Sequence, residues 1–197
     1  MPQSRRYKKK KSAGKAILAW IIVLAILAAG VFVFVSVFYE DAKKKLDEMN
    51  YPRTYSTYVE KAAKDYDLDP ALIYAVIHTE SGFDPKAESG VGAKGVMQMM
   101  PSSFEWLQEQ RGCAGQYTED DLFDPEICID YGSYLLKYFY DYYGTERSAI
   151  AAYNAGFVVS DWLNDTNYSS DGKNLDSIPY PETENYVDKV ELSLIHI

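Results

Sequence analysis

An uncharged apolar segment near the N-terminus restricts the possible folds of this chain more than any other feature. Residues 16–38 read AILAWIIVLAILAAGVFVFVSVF and carry no charged side chain. A helix of this length can span the hydrocarbon layer of a bilayer. A cleavable signal peptide would have a shorter apolar core followed by small residues, whereas this segment continues through bulky residues into the charged sequence YEDAKKK. The sequence therefore predicts an uncleaved transmembrane anchor.

The charges on the two sides of this segment predict its orientation. Seven of the 20 Lys and Arg residues lie within residues 1–15, and the first acidic residues of the chain come after the segment. Because basic flanks stay in the cytoplasm, we expect a cytoplasmic tail (1–15), a single-pass anchor in the cell membrane (16–38), a charged stalk or juxtamembrane helix (39–53) and an external domain (54–191). The lack of an outer-membrane lipobox favours a Gram-positive type of envelope.

The expected external part is acidic and of single-domain size. Thirteen basic residues remain there against 29 acidic ones, a balance that disfavours binding to nucleic acid phosphates. A length of roughly 150 residues suits one domain with one core. The two cysteines, Cys113 and Cys128, are too few for an all-cysteine zinc site, and the sequence leaves open whether they form a disulfide.

The last six residues, 192–197, read LSLIHI and show neither a helical amphipathic pattern nor a charge. The codons CTG TCT CTT ATA CAC ATC, which form the mosaic end of a transposon used in sequencing-library preparation, encode this hexapeptide. We therefore expect an adapter-derived tail, with a natural protein that continues past Glu191.

The expected external domain shows helical patterns and no convincing strand. Asp-Pro pairs at 69–70 and 124–125 are typical of a helix N-cap followed by proline in the first turn, and glycine is typical of the position after a helix. These signals predict helices over 56–66, from 70 through the early eighties, over 125–143 and over 146–155, an irregular segment over 160–174, and a return of pattern at IPYPETENYVDKV. The expected fold class is mainly α.

Glu80 is the residue whose position suggests chemistry. At about 100° per residue it lies between the directions of Val76 and Ile77, on the apolar face of its own helix near the C-terminal end. Burial and the helix dipole should both raise its pKa, which suits a general acid of a glycosidase. The alternative is a helix-end glutamate that bends out to water. His78, on the opposite face, is expected to be structural.

The segment after Glu80 contains the spacing G-x-G-x-x-G at Gly90, Gly92 and Gly95. A dinucleotide-binding loop must follow a buried strand and open a helix, whereas this loop follows a helix end and the polar residues FDPKAES. Nucleotide binding is therefore excluded. The glycines can instead let the backbone double back over Glu80 and bring Met97 and Gln98 close to it.

Three segments, ESGFDPKAESGVGAKGVMQMMP, AAYNAG and IPYPETENYVDKV, resemble in order the signature segments of the Slt-type lytic transglycosylases, relatives of goose-type lysozyme. The resemblance implies a lysozyme-like domain that acts on the glycan strands of peptidoglycan without a metal or another cofactor. It also implies that Glu80 is the sole catalytic acid and base: it protonates the oxygen between N-acetylmuramic acid and N-acetylglucosamine, and then deprotonates the muramic acid 6-hydroxyl. That hydroxyl closes a 1,6-anhydro ring, assisted by the acetamido group of the substrate.

The resemblance also implies roles for residues around this glutamate. Ser81 would support the helix end, and Ser89 would contact the acetamido or peptide side of the substrate. Gln98 would hydrogen-bond the sugar beside the scissile bond, with Met97 packed beneath it, although Met97 is also an ordinary core residue by type.

Further along the chain, the matching motifs imply that Tyr153 and Asn154 line the groove. Glu182 and Tyr186 would close the site, with the Tyr186 hydroxyl close to the catalytic carboxylate. By residue type alone, both tyrosines suit a core and Glu182 suits a helix start.

Two positions depart from the family pattern. FVVSDWL replaces the usual G-P-G-like continuation after AAYNAG, so we expect a groove wall of different shape there, and Asp124 replaces the usual asparagine at a helix start. Two alternatives stay open: a muramidase that uses water, which a carboxylate such as Asp84 or Glu88 across the groove would favour, and a catalytically idle scaffold that binds cell-wall glycan. Protein partners are not indicated.

Overall fold

The computed structural model describes the backbone of residues 4–50 and 54–196, which divide into two compact units at residues 50 and 51. Residues 1–3 of the predicted tail, 51–53 of the predicted stalk and residue 197 lie outside the described part. The first unit is a helix, α1 (Ser4–Asn50). Within it, Ala16–Tyr39 is a 24-residue stretch of mean hydropathy 3.0, the one described helix that is long and apolar enough to cross a membrane. At 1.5 Å per residue it is about 36 Å long.

The second unit is mainly helical, as the sequence predicts. Its elements are α2 (Ser56–Tyr66), α3 (Pro70–Ser81), α4 (Pro101–Gln110), α5 (Pro125–Tyr143), α6 (Glu146–Ala155), α7 (Val159–Asn164) and α8 (Pro181–His196), with 3₁₀ turns at Glu119–Phe123 and Gly156–Val158. Between residues 54 and 196 the β-structure consists of isolated bridges of Lys94 with Glu88 and Met99.

Local signals start and stop these helices at the positions that the sequence predicts. The Asp69 carboxylate accepts a hydrogen bond from the Ala71 amide at 2.8 Å, and the Asp124 carboxylate accepts one from the Glu126 amide at 2.9 Å. Each satisfies an amide that the first helical turn leaves unpaired. Gly144 ends α5 with a φ of 75°, a left-handed conformation that glycine adopts without strain.

Packing around α5 and α8 builds the core. α5 packs on α2 and α6, and α8 packs on α3 and α6. The side chains of Leu72, Ile73, Val76 and Ile77 on α3 are almost completely buried. The Arg147 guanidinium makes two hydrogen bonds to the Glu191 carboxylate, at 2.7 and 2.8 Å, and joins α6 to α8. These contacts fix the three helices that surround Glu80.

Two helices differ from the prediction. Helix α4 was not predicted, and the irregular segment predicted over 160–174 is wrong for residues 160–164 because they belong to α7. In α7, Trp162 and Leu163 are buried. A six-residue helix has too few turns to show a periodic pattern, so the core contact of these two side chains stabilises it.

The described part of the hexapeptide 192–197 is helical. Residues 192–196 continue α8, with Ser193 buried and Leu192 and Ile195 exposed. A polar residue is thus buried and two apolar residues are exposed, in agreement with the expected lack of an amphipathic pattern. The adapter origin of the segment stays a prediction. Cys113 and Cys128 are both free thiols in this structure.

Candidate active site

Glu80 lies in the last turn of α3, just before Gly82 ends the helix in the left-handed conformation. Val76 and Ile77 beside it are fully buried, and Glu80 itself is only partly exposed. Burial raises the pKa of its carboxyl to about 7, an effect that the nearby Tyr186 hydroxyl opposes by stabilising the carboxylate. The predicted rise in pKa is confirmed, and burial is its cause.

Two tyrosines from other helices flank this carboxyl: Tyr153 on α6 and Tyr186 on α8. The pKa of each phenol is raised well above its ordinary value, first by burial and then by the negative charge of Glu80. Both therefore stay protonated. The Tyr153 hydroxyl donates to the Met97 carbonyl at 2.9 Å. The buried Tyr186 hydroxyl makes no well-formed hydrogen bond within the described residues, although it is close enough to lower the pKa of Glu80.

The glycine-containing loop folds back onto the end of α3, as the sequence predicts. The Ser81 hydroxyl donates to the Val96 carbonyl at 2.8 Å and so joins the helix end to the loop. Gly95 has a φ of 76°, and a β-carbon there would lie 2.0 Å from the Leu122 carbonyl oxygen. The loop can approach the neighbouring 3₁₀ turn only because this residue has no side chain.

Gln98 holds the loop together at its far end. Its side-chain nitrogen donates to the carbonyls of Ala87 and Gly95, at 3.0 and 3.1 Å. The amide oxygen accepts no hydrogen bond from the described residues, so it is available to a ligand. Met97 next to it is fully buried against Gly132, where a β-carbon would lie 2.5 Å from the methionine sulfur. The Met97 side chain is therefore part of the core.

The remaining predicted site residues are exposed or form hydrogen bonds elsewhere. The Ser89 hydroxyl accepts a hydrogen bond from the Ala93 amide at 2.9 Å within the loop. Asn154 is exposed, and its side-chain oxygen accepts a hydrogen bond from Thr183 at 2.8 Å. Glu182 is exposed in the first turn of α8 and makes no hydrogen bond or ion pair with the described residues. The structure thus groups Glu80 with Tyr153 and Tyr186, but it does not bring Glu182 into that group.

Cys128 supports the site, a role that the sequence did not indicate. Its sulfur accepts a hydrogen bond from the Met97 amide at 3.4 Å and donates to the Lys94 carbonyl at 3.8 Å, so it ties both sides of the loop to α5. Burial raises the pKa of this thiol to about 12, which keeps it protonated. No local pattern could reveal the contact, because 31 residues separate Cys128 from Met97.

An open groove of about 270 Å³ begins beside Tyr153. Its lining includes Met100, Ser103, Trp106, Asn154 and Phe157. Phe157 lies where a changed groove wall is predicted after AAYNAG, whereas no sequence pattern indicated Trp106. Tyr153 lines this groove and also lies close enough to Glu80 for the carboxylate charge to raise its pKa.

Metal ligands and a second acid were the other candidates for a reactive group. The described residues contain no cluster of three or more His, Cys, Asp or Glu side chains that could hold a metal ion. None of their carboxylates contributes to the pKa of Glu80. Asp84 and Glu88, the acids considered for a hydrolytic mechanism, are exposed. The His78 ring contacts Phe83 at 6.2 Å between centroids and Ser193 at 3.4 Å, consistent with a structural role.

Comparison with known proteins gives concordant results. Residues 57–175 match the family described as the transglycosylase SLT domain. The soluble lytic murein transglycosylase of Escherichia coli is 32% identical over 146 residues, which cover 73% of this chain and 23% of that protein. The membrane-bound lytic murein transglycosylase C of Serratia proteamaculans is 35% identical over 137 residues, which cover 65% of this chain and 38% of the relative.

Solved structures show the same fold. The 70 kDa soluble lytic transglycosylase of Escherichia coli superposes with a TM-score of 0.67 at 28% identity, over 76% of this chain and 25% of that one. An inactive mutant of the lytic transglycosylase Slt from Pseudomonas aeruginosa gives 0.65 at 31% identity, with the same coverage. This chain therefore spans only about a quarter of these longer proteins.

Proposed function

The chain belongs to the transglycosylase SLT domain family, and from this premise we propose that it is a membrane-anchored lytic transglycosylase that cleaves the glycan strands of peptidoglycan. The observation that carries the proposal is the carboxyl group of Glu80, whose pKa burial raises to about 7 between two protonated tyrosines. A carboxylic acid with a pKa near the working pH can both donate and accept a proton.

In the first step Glu80 acts as the acid. Its proton moves to the glycosidic oxygen that links C1 of N-acetylmuramic acid to N-acetylglucosamine, and the bond from C1 to that oxygen breaks. The acetamido oxygen of the muramic acid stabilises the positive charge at C1. Tyr186 assists as the carboxylate forms, since its buried hydroxyl stabilises that charge.

In the second step Glu80 acts as the base. Its carboxylate takes the proton of the muramic acid 6-hydroxyl, and that oxygen bonds to C1 to form the 1,6-anhydro ring. Glu80 is thereby protonated again, and no water is consumed. A substrate-assisted route of this kind needs no second carboxylate.

The surrounding residues position the catalytic site and bind the substrate. Ser81 and Cys128 fasten the loop to the helix end and to α5. The free amide oxygen of Gln98 accepts a hydrogen bond from a sugar hydroxyl, while Met97 supports the loop from below and fixes Tyr153 through its carbonyl. We expect Ser89, Asn154 and Glu182 to contact the substrate outside the scissile bond.

The apolar helix supports a location of the protein at the cell membrane. Ala16–Tyr39 has the length and composition of a membrane span, and the basic residues before it favour a cytoplasmic N-terminus. We assign residues 16–38 to the anchor, 39–53 to the stalk and 54–191 to a catalytic domain outside the cell membrane. A membrane-bound relative, the lytic murein transglycosylase C of Serratia proteamaculans, supports the anchored arrangement. A Gram-positive type of envelope agrees with this topology.

The products of peptidoglycan digestion test the function. We expect the full chain in mild detergent to release muropeptides with anhydro ends, which are one water lighter than hydrolysed ends by mass spectrometry and gain no label in isotopically labelled water. Glu80→Gln should release none, whereas Glu105→Gln, an exposed acid on α4, should act as the parent does. Labelled reducing ends would refute the reaction type in favour of a muramidase. Absence of products from a folded protein would favour a glycan-binding scaffold.

A further inference from the structure

Phe157 stands out because it is a large apolar side chain left exposed where the chain departs from its family. Its side chain is 49% exposed, and it follows Gly156 directly after the AAYNAG motif. The ring also lines the open groove that begins beside Tyr153, so it is accessible to a ligand there. Phe157 lies in the 3₁₀ turn that precedes α7. The Tyr143 hydroxyl on α5 hydrogen-bonds to the Phe157 carbonyl at 3.5 Å and to the Ser160 hydroxyl on α7 at 3.0 Å, and so joins both segments to α5.

The neighbouring rings support Phe157 without covering it by parallel stacking. Trp106, Tyr138, Phe139 and Tyr142 contact it with centroid separations of 5.3 to 6.4 Å and interplanar angles of 69° to 89°. These are edge-to-face arrangements, which aromatic pairs prefer. These four rings hold Phe157 in place while it stays 49% exposed, and the exposed part can contact an apolar ligand surface.

The groove offers polar groups around this aromatic surface. Ser103 and Asn154 also line it. The Ser103 hydroxyl and the Asn154 side-chain nitrogen make no hydrogen bonds with the described residues, so both are available to a ligand. A hexopyranose ring has the matching chemistry, because its axial C–H groups form an apolar face and its hydroxyl and acetamido groups lie at the edge. A volume of about 270 Å³ suits a ligand fragment rather than a drug-sized molecule.

We propose that Phe157, supported by Trp106, forms a sugar-stacking subsite for one N-acetylhexosamine ring of the glycan strand, next to the ring that Tyr153 contacts. The proposal rests on the proposed function for the identity of the strand. Tyr153 is common to the groove and to the surroundings of Glu80, so we expect one strand to contact both. Because FVV stands where the usual continuation is G-P-G-like, Phe157 would set how tightly this chain holds the strand beside the scissile bond.

Binding of a peptide-free glycan tests the subsite apart from catalysis. The probe is the tetramer of N-acetylglucosamine, titrated calorimetrically into the full chain carrying Glu80→Gln, in mild detergent. Adding Phe157→Ala should weaken binding about three- to tenfold, the range expected for one aromatic contact. Phe157→Leu keeps apolar volume against Trp106 but lacks the ring face, so it should weaken binding too, whereas Phe157→Tyr should keep it within about twofold.

Tyr140→Ala is the matched control, because Tyr140 is exposed on α5, makes no ring contact with Phe157 among the described residues and does not line the groove. It should leave the tetramer affinity unchanged. Equal weakening by Tyr140→Ala, unchanged binding in Phe157→Ala and Phe157→Leu, or no binding by the Glu80→Gln parent would each overturn the subsite. An effect of Phe157→Ala confined to peptide-bearing muropeptides would overturn it in favour of a peptide contact. Failure of the proposed function is a different result, namely no anhydro products from the unsubstituted chain while the tetramer still binds.

Discussion

Replacing Glu80 by glutamine should make the folded protein more stable at neutral and alkaline pH while it removes the activity. The carboxyl group has a pKa of about 7 in the folded state, against an ordinary value of 4.5. Between these values the folded protein binds more protons than the unfolded chain does. The contribution of Glu80 to the free energy of unfolding is therefore most favourable at low pH, falls as the pH rises from 4.5 to 7, and is constant above that.

The magnitude follows from the size of the rise in pKa. Each pKa unit corresponds to about 1.4 kcal/mol, so ionisation of buried Glu80 costs the folded state about 3 kcal/mol above pH 7. Glutamine has nearly the same shape and cannot ionise. The difference in unfolding free energy between Glu80→Gln and the parent should grow by about 2.5 kcal/mol from pH 5 to pH 8. Effects of the amide that do not depend on pH cancel in this comparison.

Urea unfolding of the full chain in mild detergent, followed by tryptophan fluorescence, measures this difference at a series of pH values. Glu105→Gln serves as the control, since Glu105 is exposed on α4, and its difference from the parent should not change over the same range. A flat difference for Glu80→Gln from pH 5 to pH 8 would show that Glu80 ionises in the folded protein without cost. Glu80 would then not have the raised pKa that a proton donor needs near neutral pH.

Two further perturbations test the surroundings of the site. Tyr186→Phe removes a hydroxyl that lowers the pKa of Glu80, so the pH at which activity declines on the alkaline side should move upward in a pH–rate profile; an unchanged or lower limit would contradict this. Gly95→Ala should cost about 2 to 4 kcal/mol of stability in urea unfolding, because its β-carbon would lie 2.0 Å from the Leu122 carbonyl oxygen at a φ of 76°. Gly90→Ala, with nothing within 4 Å of the added carbon, should change stability by less than about 0.5 kcal/mol, and equal effects at the two glycines would contradict the packing argument.

Much of the helical framework could be predicted because helix boundaries depend on nearby residues. The Asp69 and Asp124 carboxylates cap amides only two positions ahead, and glycine after α5 ends that helix through its own backbone freedom. The elements that were not predicted depend on contacts between distant residues. In α7, Trp162 and Leu163 stabilise a short helix through contacts with the core, which no local pattern records.

In the candidate site too, some features depend on the local sequence and others on contacts between distant residues. The apolar periodicity of α3 placed Glu80 on a buried face, and burial is the main cause of its raised pKa. The partners of the site come from distant segments. Tyr153 bonds to Met97 across 56 residues, and the Cys128 thiol supports the same residue from α5. Motif resemblance pointed to Tyr153, but it gave no indication of Cys128 or Trp106.

The sequence by itself determined the apolar helix, the mainly helical fold and the position of Glu80 on the inner face of α3, because each depends on the order of side chains along a few turns. Only the tertiary structure decided what surrounds that carboxyl group. Packing of α8 against α3, and of α6 against α8, brings Tyr153 and Tyr186 to it, and the fold buries the Met97 side chain and leaves Glu182 in solvent. These outcomes depend on the angles and distances at which helices pack, which arise from the whole core rather than from any one segment.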